Sequence, residues 1–128
     1  MPKHIFTYGS LMFAQVWQRV VSGHYHCIDA KLFEHARFAV KDVSYPGIIT
    51  VEGGIVTGKL YLDIGASDLT ALDVFEGNEY KRCRVEVATE NGLKFYAETY
   101  LFLPQHRLTN KVWNPEQFSL EQFLKAHC

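Results

Sequence analysis

The sequence has 128 residues and 48% hydrophobic content, with 9 Phe, 7 Tyr and 2 Trp, and 13 Lys plus Arg stand against 14 Asp plus Glu for a formal net charge of -1. Apolar volume on that scale excludes intrinsic disorder, the length fits one core and leaves no room for a second, and the balanced charge excludes a broad polyanion-binding surface. No apolar run approaches the roughly 18 residues that a membrane span needs.

The chain opens on a run of strand formers, about Lys3 to Tyr8. Gly9-Ser10 breaks that run. Phe13, Val16, Trp17, Val20 and Val21 then recur at the spacing of one helix face, and Gly23 falls where a C-terminal cap glycine belongs. From His24 the pattern turns to strands, His24 to Phe33 and Arg37 to Lys41. Tyr45-Pro46-Gly47 reads as a turn, and Gly53-Gly54 as a two-residue hairpin between Ile48–Val51 and Ile55–Asp63. A second helix follows, capped by Ser67 or Asp68, with Leu69, Leu72 and Phe75 inward and Gly77-Asn78 at its end. Asn91-Gly92 joins Arg82–Thr89 to Leu93–Leu103 as a hairpin. Residues 104 to about 113 read as a polar loop. Asn114-Pro115-Glu116-Gln117 then opens a terminal helix with Phe118, Phe123 and Leu124 inward. The expected fold class is α+β: a small, mostly antiparallel β-barrel with two or three short helices. One domain spans 1–128, with 104–128 as loop plus C-terminal helix.

Cys27, Cys83 and Cys128 are odd in number and widely spaced, which suits a reducing compartment. Met1-Pro2-Lys3-His4-Ile5 has neither the apolar region nor the cleavage site of a signal peptide, so the expected location is cytoplasmic. His24 and His26 would share one face of a strand while Cys27 points to the other, so no metal site is expected there. Cys83 reads as a small buried residue, and Phe95-Tyr96 and Tyr100-Leu101-Phe102 as sheet core.

Two segments could carry chemistry. At Tyr8-Gly9-Ser10-Leu11 a strand meets a helix, and successive backbone N–H groups at such a turn hold a carboxylate or an oxyanion. The plainer reading is a turn in which Ser10 caps the helix. Asp73 and Glu76 lie three apart at the C-terminal end of the second helix, where the helix dipole disfavours negative charge. They read either as a solvated acidic helix end with Arg82 or Arg84 as counter-ions, or as a site where burial and a like charge raise one pKa into the range of a general base.

Together these segments resemble the γ-glutamylcyclotransferase-like family, which includes γ-glutamylamine cyclotransferases and the plant avirulence-induced proteins. The resemblance rests on Phe6-Thr7-Tyr8-Gly9-Ser10-Leu11, on Tyr45-Pro46-Gly47-Ile48, and on Gly58-Lys59-Leu60-Tyr61 continuing through Leu72 to Arg82, in that order. It implies a barrel with one cavity, a substrate-binding loop of Tyr8, Gly9, Ser10 and Leu11, Glu76 as catalytic acid/base, and Gly47 and Tyr80 near the pocket. Glu79 is the rival carboxylate. The implied reaction is cyclisation of a γ-glutamyl amine or peptide to 5-oxoproline with release of the amine or amino acid. No cofactor or metal is expected, the partner is the small-molecule substrate rather than nucleic acid or membrane, and the protein is a monomer or weak homodimer. The alternative is a non-catalytic module that binds a small metabolite in the same pocket.

Overall fold

The computed structural model describes residues 3–41, 43 and 45–115. β1 (Lys3–Thr7) lies between β3 (Pro46–Ile64), to which it is antiparallel, and β5 (Lys94–Phe102), to which it is parallel. β5 pairs with β4 (Tyr80–Thr89), β4 with β2 (Cys27–Val40), and β2 returns to β3, so five strands close on themselves. β6 (Leu108–Val112) adds to β2 outside that ring. The barrel is therefore mixed but mostly antiparallel, with α1 (Ala14–Val20) and α2 (Ala66–Glu76) packed outside it.

Alternation along β1 divides the core. Phe6 points among Ala30, Leu32, Val56, Leu60 and Val87 inside the ring, whereas Ile5 packs with Val16, Trp17, Ile64 and Leu72 under the helices. Trp17 stacks on Tyr61 with ring centroids 3.7 Å apart, a contact worth about 1 kcal/mol beyond burial.

Several local expectations are corrected. Gly53-Gly54 is not a hairpin: both halves of β3 keep β2 as partner, and the glycines lie at a bulge opposite Glu34. Gly53 and Glu34 both have positive φ (78° and 64°), and the Gly53 N–H donates to Glu34 Oε2 at 2.8 Å. A Cβ on Gly54 would stand 2.3 Å from the His35 carbonyl oxygen, so the strands approach closer there than a side chain permits. Pro46 and Gly47 are strand residues rather than a turn, paired with Ala39 and Phe38, because the first residue of a strand tolerates proline's missing donor. Residues 104–113 are not a loop throughout. A 3₁₀ turn (Gln105–Arg107) leads into β6, which finds its pairing edge in the overhang of β2, with Thr109 Oγ1 donating to the Ala39 carbonyl. The terminal helix, with Glu116, Gln117, Phe118, Phe123 and Leu124, falls outside the described residues.

The caps also differ. A 3₁₀ turn (Ser10–Met12) precedes α1, which ends at a Val21 C-cap, so Gly23 is no helix cap. Instead the Gly23 N–H donates to Asp68 Oδ2 at 2.9 Å. Asp68 does not cap α2 either, since its N-cap is Gly65 without a side-chain bond. Its carboxylate accepts from the Ser22 N–H (2.9 Å), the Ser22 hydroxyl (3.1 Å) and the Tyr25 hydroxyl (2.6 Å), tying the end of α1 to the start of α2.

Those bonds favour the ionised form and hold the Asp68 pKa down from 3.8 to about 2, the Tyr25 bond contributing most. The unfolded chain then takes up the proton more readily than the native one. Asp68 accordingly contributes its full stability above about 3.8, and that contribution disappears as pH falls through about 2. Asp68→Ala is expected to cost roughly 3 kcal/mol at neutral pH, because four donors lose a charged acceptor. Urea unfolding at pH 7 and pH 2.5 checks this: the gap between parent and variant narrows at the lower pH, and an equal gap at both would refute the assignment.

Candidate active site

β1 delivers Tyr8 to the end of the barrel, and the chain then turns sharply through Gly9 into the 3₁₀ turn. A Cβ on Gly9 would stand 2.9 Å from Pro46 Cδ, so the loop lies against the start of β3 at a distance that glycine allows. Opposite, Glu76 is the last residue of α2, and Gly77 with φ of 81° turns the chain away immediately after it. Between them is a cleft of about 320 Å³, counted to its open mouth. Phe6, Thr7, Tyr8, Gly9, Ser10 and Leu11 form one side, and Tyr45, Pro46, Glu76, Tyr80 and Tyr100 the remainder. Six of the residues singled out by sequence, Tyr8, Gly9, Ser10, Leu11, Glu76 and Tyr80, thus meet at one cavity. Gly47 lies behind its wall, where a Cβ would stand 2.6 Å from Phe102 Cβ.

The two carboxylates of the Asp-x-x-Glu segment have different surroundings. Asp73 Oδ1 accepts from the Tyr100 hydroxyl at 2.7 Å and lies 3.0 Å from Arg82 Nε. Arg82 is therefore a structural partner of that segment rather than a loose surface counter-ion, and its Nη1 also reaches Glu98 at 2.6 Å. Glu76 has no ion-pair or hydrogen-bond partner among the described residues. Burial pushes its pKa up from 4.5 to about 8, so the like charge of Asp73 is not the main cause. Glu79 pairs with Arg107 away from the cleft, and Arg84 lies over the Tyr96 ring at 4.4 Å.

The tyrosines are fixed by their hydroxyls. Tyr8 donates to the Tyr100 carbonyl and Tyr80 to the Pro46 carbonyl, the latter at 2.7 Å. Arg37, from β2, donates through Nη1 to the Tyr8 carbonyl at 2.8 Å and to the Thr57 carbonyl at 3.1 Å, holding the Tyr8–Leu11 turn from outside. Its guanidinium lies 5.3 Å from the centroid of the Trp113 ring. Tyr45, Tyr100 and Arg37 are the residues that sequence reasoning passed over. Tyr100 reads as core because it alternates with apolar neighbours. A buried tyrosine needs a partner for its hydroxyl, and that is the signal that separates it from Phe102. Cys83 is partly buried, opposite Thr99. His24 and His26 precede β2 and are exposed.

A family model described as "Gamma-glutamyl cyclotransferase, AIG2-like" matches residues 5–119. Protein AIG2 C of Arabidopsis thaliana is 32% identical over 101 residues, covering 78% of this chain and 61% of its own length. AIG2-like protein A of the same plant is 33% identical over 128 aligned residues, covering 97% and 73%. This chain thus spans about three fifths to three quarters of the length of these two relatives. A solution structure of an Arabidopsis thaliana protein superposes with a TM-score of 0.78 at 28% identity, over 99% of this chain and 80% of that one. A structure described as a gamma-glutamyl cyclotransferase has a TM-score of 0.71 at 21% identity, over 80% and 67%, a likeness of fold. Among the described residues, no helix is long and apolar enough to cross a membrane.

Proposed function

This chain belongs to the AIG2-like gamma-glutamyl cyclotransferase family, and from that premise we propose that it converts a γ-glutamyl amine or peptide to 5-oxoproline, releasing the amine or amino acid. The observation that carries the reading is Glu76, a carboxyl raised to about pH 8 in a cleft whose other side is the Tyr8–Leu11 turn. Such a group accepts and returns protons near neutral pH, which this reaction requires and a solvated carboxylate does poorly.

The reaction is intramolecular. Ionised Glu76 takes a proton from the substrate's α-ammonium, and the free amine attacks the γ-carbonyl carbon. The new C–N bond closes the five-membered ring and leaves a tetrahedral oxyanion, for which the N–H groups of the Gly9–Leu11 turn are the available donors. Glu76 then hands its proton to the departing nitrogen as the old C–N bond breaks. The second proton of the ring nitrogen follows by the same carboxylate to the freed amine. Much of the rate comes from holding the substrate in its cyclising conformer, which a small walled cleft provides.

The test is incubation with a panel of γ-glutamyl dipeptides and γ-glutamylamines and quantitation of 5-oxoproline. The rate is expected to rise about tenfold per pH unit below the Glu76 pKa and to level near pH 8, because only the ionised form is the base. A profile already flat from pH 5 to 8 would remove Glu76 from that role.

A further inference from the structure

The cleft assigns its polar groups unequally. A phenol has one proton to donate and lone pairs with which to accept. The Tyr80 proton is committed to the Pro46 carbonyl, and the Tyr100 proton to Asp73 Oδ1. The Tyr8 hydroxyl donates to the Tyr100 carbonyl, and its ring is packed in the barrel core. What Tyr80 and Tyr100 retain is the ability to accept. The N–H groups of Gly9, Ser10 and Leu11 have no acceptor among the described residues and retain the ability to donate. The site therefore calls for a ligand with donors at one end and an anionic or carbonyl oxygen at the other.

We propose that the phenol oxygens of Tyr100 and Tyr80 form the seat for the substrate's α-ammonium, a role that rests on the cyclotransferase reading above. Tyr100 is the stronger acceptor, because its own proton goes to a carboxylate and a phenol polarised in that way carries more negative charge on oxygen. Asp73 and Arg82 are positioning residues. Asp73 meets Arg82, Arg82 meets Glu98, and Glu98 Oε2 meets Lys3 Nζ at 2.8 Å, so two negative and two positive charges run from the cleft wall to the surface. This balanced row holds the Asp73 carboxylate in place, and the bond to it turns the Tyr100 proton away from the cleft. It also accounts for the acid three residues before Glu76: one carboxylate moves protons and the other orients the phenol that holds the ammonium.

The test compares two ligands that differ only at the α-carbon, L-glutamine and glutaramic acid, which lacks the amine. Calorimetric titration at pH 6, with Glu76 mostly protonated, suppresses turnover and removes its charge from the comparison. The parent is expected to bind L-glutamine at least tenfold more tightly than glutaramic acid. Tyr100→Phe, which keeps the ring and the carbonyl that Tyr8 uses, is expected to weaken L-glutamine about tenfold or more and leave glutaramic acid within about twofold. Equal losses for both ligands, no loss for L-glutamine, or a parent indifferent to the amine would overturn the proposal, and the parent comparison stands even if the variant does not fold. The 5-oxoproline assay separates the two readings. A parent that shows the amine preference but never makes 5-oxoproline keeps the seat and loses the cyclase. A parent that makes 5-oxoproline while Tyr100→Phe loses nothing keeps the cyclase and loses the seat.

Discussion

Glu76→Gln is expected to lower the rate of 5-oxoproline formation by roughly 10²–10⁴-fold, the usual contribution of a positioned acid/base, while leaving the protein folded. Gln is close in shape to protonated Glu, and at pH 7 a group with a pKa of about 8 is mostly protonated. The substitution therefore removes the titrating group without emptying its place. Stability gives an independent readout with a definite sign. Because the folded pKa is raised above 4.5, the protonated carboxyl's advantage is complete below that value and is lost as pH rises through about 8. The parent should weaken between pH 5 and 9 along this limb, and Glu76→Gln should not, so the variant becomes the more stable of the two at pH 9. Chemical denaturation at both ends of the range measures the difference. A folded Glu76→Gln that cyclises as fast as the parent would refute the catalytic role. A parent with saturable metabolite binding and no turnover would instead support the non-catalytic module.

Gly58→Ala is expected to be the most damaging small substitution in the barrel, at about 3 kcal/mol or more. Gly58 sits on β3, where β3 pairs with β1 on one side and β2 on the other. A Cβ there would stand 2.1 Å from the Thr7 carbonyl oxygen and 2.7 Å from Phe6 Cζ. Neither has room to yield. Thr7 is held by the strand pairing and by its own hydroxyl donating to the Lys59 carbonyl, and the Phe6 ring is sealed in the barrel. Displacing Thr7 also displaces Tyr8, the next residue and the start of the turn proposed to bind substrate, so the proposed activity should fall with stability. Urea midpoints give the measurement, and a variant within 0.5 kcal/mol of the parent would show that the strands have more slack than these distances allow.

Local signals served well where one short segment contains its own cause. Asn91-Gly92 demands positive φ and makes a hairpin; Gly92 has φ of 82° and β4 and β5 pair along their length. Gly77 ends α2 for the same reason. Gly53-Gly54 carries a similar signal and becomes a bulge instead, because β2 is long enough to hold both halves of β3 and no local feature of the glycines encodes that length. Asp68 reads as a cap from its place in the chain. It is drawn off by Ser22, Gly23 and Tyr25, donors more than forty residues away that only packing of the helices brings near.

The sequence by itself determined one near-neutral, aromatic-rich barrel, the turn at Tyr8–Leu11 and the carboxyl pair at the end of the second helix, since each rests on composition, periodicity or neighbouring residues. Only the tertiary structure decided what those pieces do to one another. Spacing placed Asp73 and Glu76 on one face and left both as candidates for a raised pKa or a solvated end. Burial then raised Glu76, while Arg82 and Tyr100 claimed Asp73. Desolvation and hydrogen-bond partners are properties of the packed chain, supplied here by β1, β4 and β5 rather than by α2 itself, and no pattern within a helix can report them.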